Sequence, residues 1–363
     1  MGEKKQTVLD NINYQPTVLP EVFDRRALFT EPFVSLLQSR DIKKVVFLGS
    51  GTSYNVSQIA AYYMQHLAGM DAEACYPTVF CNYDRLSCAG TVPPENVLLV
   101  GISQSGTSVS TCRAMAEGHS LGYATVAITG DLHSKITQYV DLMVPLLVGE
   151  ELTPPETKGY TVSVLSVYLW ALAVAHNRGT LSELQFTELM KELKNLLQGF
   201  QDVLTQSLNF FERNKASLVS SERIYILGYG IDYGSMLEGV LKVGEMLRVP
   251  VIGYELEEYV HGPFMAIRDN QTIILIGSDE AEFDRMLTFR ETFKKYTPRV
   301  HVLTTQEIDS DERDLVFSQN VSKWVGPLLF TVPFQYLAAA GAKSIYIDTG
   351  IDPTDELLAH YRA

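Results

Sequence analysis

Residues 45–64 read VVFLGSGTSYNVSQIAAYYM: an apolar run, a Gly/Ser/Thr turn, then small and apolar residues at helical spacing. The run predicts a β-strand and the segment behind the turn predicts a helix. Residues 223–247, RIYILGYGIDYGSMLEGVLKVGEML, repeat that order. Each copy leads to a second strand, NVLLVGIS at 96–103 and QTIILIGS at 271–278, and then to a third, ATVAIT at 124–129 and RVHVLTT at 299–305. Strand–helix units recurring at so long a period predict an α/β chain of two doubly wound, mostly parallel-sheet domains in tandem. Between the copies, residues 181–214 keep apolar side chains at three- and four-residue steps, which predicts a helical linker that packs across the domains or against a dimer partner. The first thirty-odd residues carry Pro16, Pro20 and Pro32 and read as an irregular lead-in followed by a short helix.

Composition narrows the function classes. The 363 residues are 46% hydrophobic, enough for full cores without disulfide staples, and Cys75, Cys81, Cys88 and Cys112 show no zinc-like spacing. Reduced thiols and no metal are expected. The N-terminus lacks an apolar signal region, and no uninterrupted apolar run approaches the roughly 20 residues that span a bilayer, so a cytoplasmic protein without a membrane partner is expected. With a net charge of −14 and no Lys/Arg cluster, nucleic acid is not an expected partner. A small anion remains compatible, because local backbone N–H groups can outweigh a distant negative surface.

Chemistry is expected where the turns feed helices at the carboxyl ends of parallel strands. Two loops rich in hydroxyls, SGTSYN at 50–55 and SQSGTS at 103–108, hold that place. A helix N-terminus attracts phosphate, and Ser or Thr hydroxyls turn to donate to its oxygens. The competing reading makes Ser53, Ser103 and Ser105 simple helix caps, although one cap needs only one hydroxyl. A dinucleotide site is the other competitor, but the pattern begun by Gly49 and Gly51 lacks its third glycine. Farther along, Glu238, Lys242 and Glu245 lie four and three residues apart on one helix face. Such a stripe is either a solvated face or the wall of a cleft, and the apolar residues crowding this helix favour the cleft.

The loops GTSY at 51–54 and ISQSG at 102–106 resemble those of the sugar isomerase (SIS) family, especially the isomerase domain of glutamine:fructose-6-phosphate amidotransferase. The resemblance extends through TKGYT (157–161), preceded by Glu151, then LEGVLKVGE (237–245), EEYVHGP (257–263) and GPLLFTVPFQYLAA (326–339), so it covers about residues 35–353. It implies flavodoxin-like SIS domains, divided as a lead-in at 1–34, a first SIS domain at 35–180, the linker at 181–214, a second SIS domain at 215–345 and a tail at 346–363. It implies that Ser53, Ser103, Gln104, Ser105 and Ser108 hold a sugar phosphate. Gly51, Thr52, Thr107, Glu151, Lys158, Glu238, Lys242, Glu258 and His360 are further substrate-site candidates. Thr107 stands where the family often has glutamate, and Ser108 where it often has threonine. Glu151 and Lys158 either touch the substrate or brace the cleft; His360 either lines the site or is exposed at a frayed end.

By the same resemblance Glu245 is the acid/base that moves a proton between C1 and C2, and His261 opens the sugar ring, for which imidazole is suited near neutral pH. The family's histidine comes from a neighbouring subunit, which implies a homodimer with sites at the interface. No cofactor is implied. Two departures refine the expectation. Gly2 stands where the amidotransferases have their glutaminase cysteine and Val45 already belongs to the first SIS strand, so glutamine hydrolysis is not expected. The tail reads DPTDELLAHYRA, with His360 nearest the lysine that forms a Schiff base in those enzymes, and imidazole cannot form that imine. What remains resembles the stand-alone deglycases of phosphorylated Amadori compounds such as fructoselysine and glucoselysine 6-phosphates. The alternatives are an aldose–ketose isomerase or amino-sugar-phosphate deaminase, and, in another class, a non-catalytic sugar-phosphate sensor.

Overall fold

The computed structural model describes residues 6–83, 92–278, 281–351 and 353–354. Two compact units make up the chain. One contains Thr17–Glu151 and Lys158–Lys194; the other contains Met1–Pro16, Leu152–Thr157 and Asn195–Ile351.

The chain opens with helices α1 (Val8–Asp24) and α2 (Ala27–Ser39). Then come β1 (Lys44–Leu48), α3 (Thr52–His66), β2 (Asp71–Cys75), α4 (Pro77–Asn82), β3 (Val97–Ile102), α5 (Val109–Ser120), β4 (Ala124–Thr129) and β5 (Leu142–Pro145). The strands form one parallel sheet in the order β2-β1-β3-β4-β5. Every residue of β3 and β4 is buried, because a parallel sheet is covered on both faces; this is why these strands read as continuous apolar runs rather than alternating ones. Helix α6 (Lys158–Arg178) packs on α2 and α3, with Phe33 stacked on Trp170 at 4.2 Å and Trp170 Nε1 donating to Phe29 O at 2.8 Å.

Helices α7 (Glu183–Gln198) and α8 (Phe200–Val219) part at Gly199 and lead to the second sheet. It is built from β6 (Ile224–Gly228), α9 (Tyr233–Leu247), β7 (Val251–Glu255), β8 (Thr272–Gly277), α10 (Phe283–Phe293), β9 (Val300–Thr304), β10 (Leu315–Val316) and α11 (Gly326–Ser344). The order β7-β6-β8-β9-β10, again parallel, is the order of the first sheet. The two-domain α/β expectation is therefore met. In each sheet the order reverses between the first and third strands, between β1 and β3 and between β6 and β8, and a ligand crevice belongs at that switch.

The lead-in differs from its expectation. Residues 8–24 are one helix that runs through Pro16 and Pro20. Each proline removes a backbone donor, which made the segment read as irregular. Burial of Val8, Ile12, Leu19, Val22 and Phe23 outweighs that loss, and polar anchors add to it: in the β6–β10 unit Gln15 Nε2 donates to Gln335 Oε1 at 2.7 Å and Tyr336 Oη to Asn13 Oδ1 at 2.7 Å. Helix α6 and the stretch Lys323–Ser344 are long and apolar enough to cross a membrane, yet 89% and 94% of those windows are buried inside the fold, as core helices are. Among the described residues no disulfide joins the cysteines; Cys88 lies outside them.

Candidate functional site

At the first switch, the chain leaves β1 through Gly49, Ser50 and Gly51. A Cβ on Gly49 would lie 2.6 Å from the Ser53 backbone, so glycine lets α3 start hard against the strand end. Gly51 takes φ +56°, a conformation that disfavours side chains, and it is the N-cap of α3, which has no side-chain cap. The loop after β3 is tightened in the same way by Gly106, at φ +64°. Ser50 Oγ and Ser110 Oγ meet at 2.9 Å, so the two hydroxyl loops are neighbours.

The hydroxyls do not cap. Ser108 stands at the N-cap of α5 but makes no cap bond; its Oγ accepts from Thr111 Oγ1 at 3.2 Å. Ser103 Oγ accepts from Gly106 N at 3.1 Å, and Ser105 Oγ accepts from Thr107 N at 3.3 Å and Thr107 Oγ1 at 3.0 Å. In each bond the serine oxygen is the acceptor, which leaves its single O–H proton for another partner. Several hydroxyl protons beside a helix start whose N–H groups carry no side-chain cap suit an anion. Ser53 and Thr52 lie in the first turn of α3, and Thr107 is tied to Ser105. The third glycine of a dinucleotide fingerprint has no counterpart: Tyr54 is there, its ring stacked on Tyr76 at 3.7 Å.

Gln104 is held differently from the serines. Its carbonyl accepts from Gly130 N at 2.9 Å and Thr129 Oγ1 at 3.3 Å, and its Nε2 donates to Glu151 Oε2 at 3.2 Å. Glu151 also takes the first backbone N–H groups of α6, from Lys158 at 3.0 Å and Gly159 at 2.8 Å, so its carboxylate sits where a helix N-terminus favours negative charge. Lys158 is buried and donates Nζ to Glu150 O at 2.6 Å. Burial pushes its ammonium below the usual lysine range, against the pull of Glu151 and Glu150.

The β6–β10 unit carries the charged stripe, and it is not a solvated face. The side chains of Glu238 and Lys242 are only 2% and 3% exposed, whereas Glu245 is 41% exposed at the open end. Lys242 Nζ lies 2.8 Å from Glu245 Oε2 and 3.8 Å from Glu238 Oε1. Burial opposes the Lys242 charge, but Glu238, Glu245 and Glu156 outweigh it, and the ammonium's pKa is raised. Glu156 is a participant that sequence reasoning missed; its place beside TKGYT was the available signal. His261 is exposed in the turn after β7 and is followed by Gly262 at φ +136°. Glu255 accepts from the N–H groups of Glu257 and exposed Glu258 at 2.8 and 3.1 Å, which fixes that turn. No hydrogen bond or ion pair among the described residues joins His261 to the Glu245 cluster. His360 lies outside the described residues.

Asp232 was also missed. Aligning GSGTS (49–53) with GYGID (228–232) sets it opposite Ser53, and the second glycines match in conformation, Gly51 at φ +56° and Gly230 at φ +55°. Asp232 is fully buried and accepts from Ser278 N at 2.7 Å and Ser278 Oγ at 2.8 Å. Ser278 follows β8 as Ser103 follows β3. Gly326 opens α11 against the pair, where a Cβ would lie 2.7 Å from Ser278 Oγ.

Comparison with known proteins matches a family model described as SIS domain to residues 39–175 and 217–320. Among curated proteins the chain is 25% identical over 300 residues to a glutamine–fructose-6-phosphate aminotransferase (isomerizing) of Caldanaerobacter subterraneus subsp. tengcongensis, covering 82% of this chain and 48% of that protein. It is 26% identical over 342 residues to the enzyme of that name from Gloeobacter violaceus, covering 91% and 54%. The chain thus spans about half the length of the curated relatives it matches. Among solved structures, a Clostridium difficile 630 protein provisionally described as a phosphosugar isomerase superposes with a TM-score of 0.86 at 27% identity, over 98% of both chains. The C-terminal domain of glucosamine-fructose-6-phosphate aminotransferase from Francisella tularensis, at 20% identity, a TM-score of 0.86 and coverage of 96% and 99%, shares the fold.

Proposed function

This chain belongs to the SIS domain family, and on that premise we propose that it is a phosphosugar enzyme, specifically a deglycase that cleaves a 6-phosphorylated Amadori compound to a hexose phosphate and an amine. The observation that carries the sugar-phosphate reading is the pair of touching hydroxyl loops in which Ser103, Ser105 and Ser108 accept within the protein and keep their O–H protons to donate. Ser53, Ser103, Ser105 and Ser108 hold the phosphate, with Gln104 beside them. In the other unit, Glu245 is the proton carrier. Its carboxylate is partly exposed to solvent and anchored by Lys242 at 2.8 Å.

His261 moves the proton that opens the ring, Glu245 takes a proton from the amine-bearing C1, and the resulting enaminol is reprotonated at C2 to give a C1 imine. Water adds across that C=N bond, and the products are an aldose phosphate and the free amine. The exposed position of His261 supports its donation to the site of a second copy, so a homodimer is part of the reading. One feature of the sequence favours an amine-bearing substrate. His360 replaces the imine-forming lysine of the resembled amidotransferases, and an Amadori compound already carries the C–N bond, so no enzyme lysine is needed.

The test incubates the protein with 6-phosphorylated Amadori compounds, glucosamine 6-phosphate and fructose 6-phosphate, and follows amine, ammonia and hexose phosphate by mass spectrometry. Release of an amine together with hexose phosphate, lost in Glu245→Gln while phosphate binding persists, is the expected result. Ammonia from glucosamine 6-phosphate alone would make the protein a deaminase, aldose–ketose exchange alone an isomerase, and binding without turnover a sensor.

A further inference from the structure

We propose that Glu151 is a positioning residue, which acts on substrate phosphate only through Gln104 by fixing which end of that side-chain amide is offered to the anion. The inference rests on the reading of the serine loops as the phosphate site. Glu151 is itself immobilised: Lys158 N donates to one carboxylate oxygen at 3.0 Å and Gly159 N to the other at 2.8 Å, so the start of α6 clamps it. The second oxygen receives Gln104 Nε2 at 3.2 Å. A carboxylate only accepts, so it admits the NH2 end of the amide and rejects the carbonyl end.

The rest of the packing shows that this choice is imposed. Gln104 Oε1 is buried and has no hydrogen-bond partner among the described residues. An amide left to itself would not strand its acceptor, since a buried unsatisfied polar atom is costly. The start of α6 also presses on the same group: a Cβ at Gly159 would lie 1.6 Å from Gln104 Oε1 and 2.5 Å from its Cδ, so only glycine leaves room for this orientation. With Oε1 buried and one Nε2 proton given to Glu151, the one polar group the side chain still has to offer is its second N–H. That group attracts phosphate, whereas a reversed amide would offer lone pairs and repel it. Meanwhile the Gln104 backbone is pinned by Gly130 and Thr129, so the loop has no second adjustable part at this residue.

The experiment is a double-mutant cycle on the full chain, read as affinity for inorganic phosphate and for glucitol 6-phosphate by calorimetry, with thermal unfolding measured alongside. In Glu151→Gln the neutral amide can present either end to Gln104 and the selection is lost. Affinity falls about tenfold, the size of one hydrogen bond to a charged group. In the Gln104→Ala background the same substitution changes affinity less than twofold, while any fall in unfolding temperature is the same in both backgrounds. With a turned-over substrate KM rises and kcat does not. Gly159→Ala leaves Glu151 intact but displaces the Gln104 amide, and it reproduces the loss even if Glu151→Gln folds poorly. Equal affinity losses in the two backgrounds, or native affinity in Gly159→Ala, would overturn the positioning role alone. If the native protein binds neither probe, the phosphate reading falls and this proposal with it.

Discussion

Replacing Lys242 by methionine tests the energetics of the charged stripe on α9. The Lys242 and Glu238 side chains are 3% and 2% exposed, with 3.8 Å between Nζ and Oε1. Two unit charges about 4 Å apart attract by about 4 kcal/mol at an effective dielectric constant of about 20. Removing one partner of a buried pair typically costs about 3–5 kcal/mol, because the surviving charge stays out of water without compensation. The shorter contact with Glu245 adds little to stability, since that carboxylate is 41% exposed and screened by solvent. Methionine fills much of the lysine stem's volume, so the loss is electrostatic rather than a cavity effect. Lys242→Met is therefore expected to lower the unfolding free energy by about 3–5 kcal/mol at neutral pH. The double variant Lys242→Met/Glu238→Gln recovers more than half of that loss. Urea unfolding followed by circular dichroism and by the fluorescence of Trp324, which lies in the same unit, measures all three proteins. A loss below about 1 kcal/mol, or a double variant no more stable than the single one, would refute the argument that Glu238 and Lys242 compensate each other out of water.

Two further predictions concern the β6–β10 unit. Burial pushes the His301 imidazole down to about 4, against the opposing effects of the Arg313 carbonyl and Asp314. Its folded value lies below the unfolded one of about 6.5, so the stability it confers is complete above pH 6.5 and is lost as pH falls towards 4. That change amounts to about 3 kcal/mol. His301→Gln should show a correspondingly shallower loss between pH 7 and pH 4, and an unchanged pH slope would count against it. Both Ser278 bonds converge on one oxygen, Asp232 Oδ2, so Asp232→Asn keeps an acceptor for both but puts an NH2 group, which donates, where Oδ1 only accepts in a fully buried site, and should lower the unfolding free energy by about 1–3 kcal/mol without changing affinity for inorganic phosphate. A change in phosphate affinity would mean that Asp232 belongs to the ligand site.

The parallel sheets were legible because strands covered on both faces must be apolar throughout. NVLLVG, ATVAIT and QTIILIG carry that signature without any reference to distant residues. Helix α1 was not legible, because Pro16 and Pro20 are local signals against a helix, whereas the contacts of Gln15 and Asn13 with α11 are made over 320 and 323 residues. In the loops, the serines were marked by their number, by their place behind parallel strands, where a ligand crevice belongs, and by the resemblance to the SIS family. The role of Glu151 could not be read in that way. Its partners are seven, eight and 47 residues distant, and no period links them.

The duplication explains why the sequence offered two similar turns and only one reads as an anion site. In the first copy the position after G-S-G-T is Ser53, and the loops around it hold hydroxyls that keep a proton to give. In the second copy the matching position is Asp232, whose carboxylate already consumes the N–H and O–H of Ser278. A phosphate brought there would meet a buried negative charge and no remaining Ser278 donor, and the start of α11 at Gly326 closes over the pair. The chain itself thus supplies the acceptor that occupies its second switch point. With that crevice filled, what sets the helix behind it apart lies about one to three turns beyond its start, where Glu238, Lys242 and Glu245 follow one another along a single face.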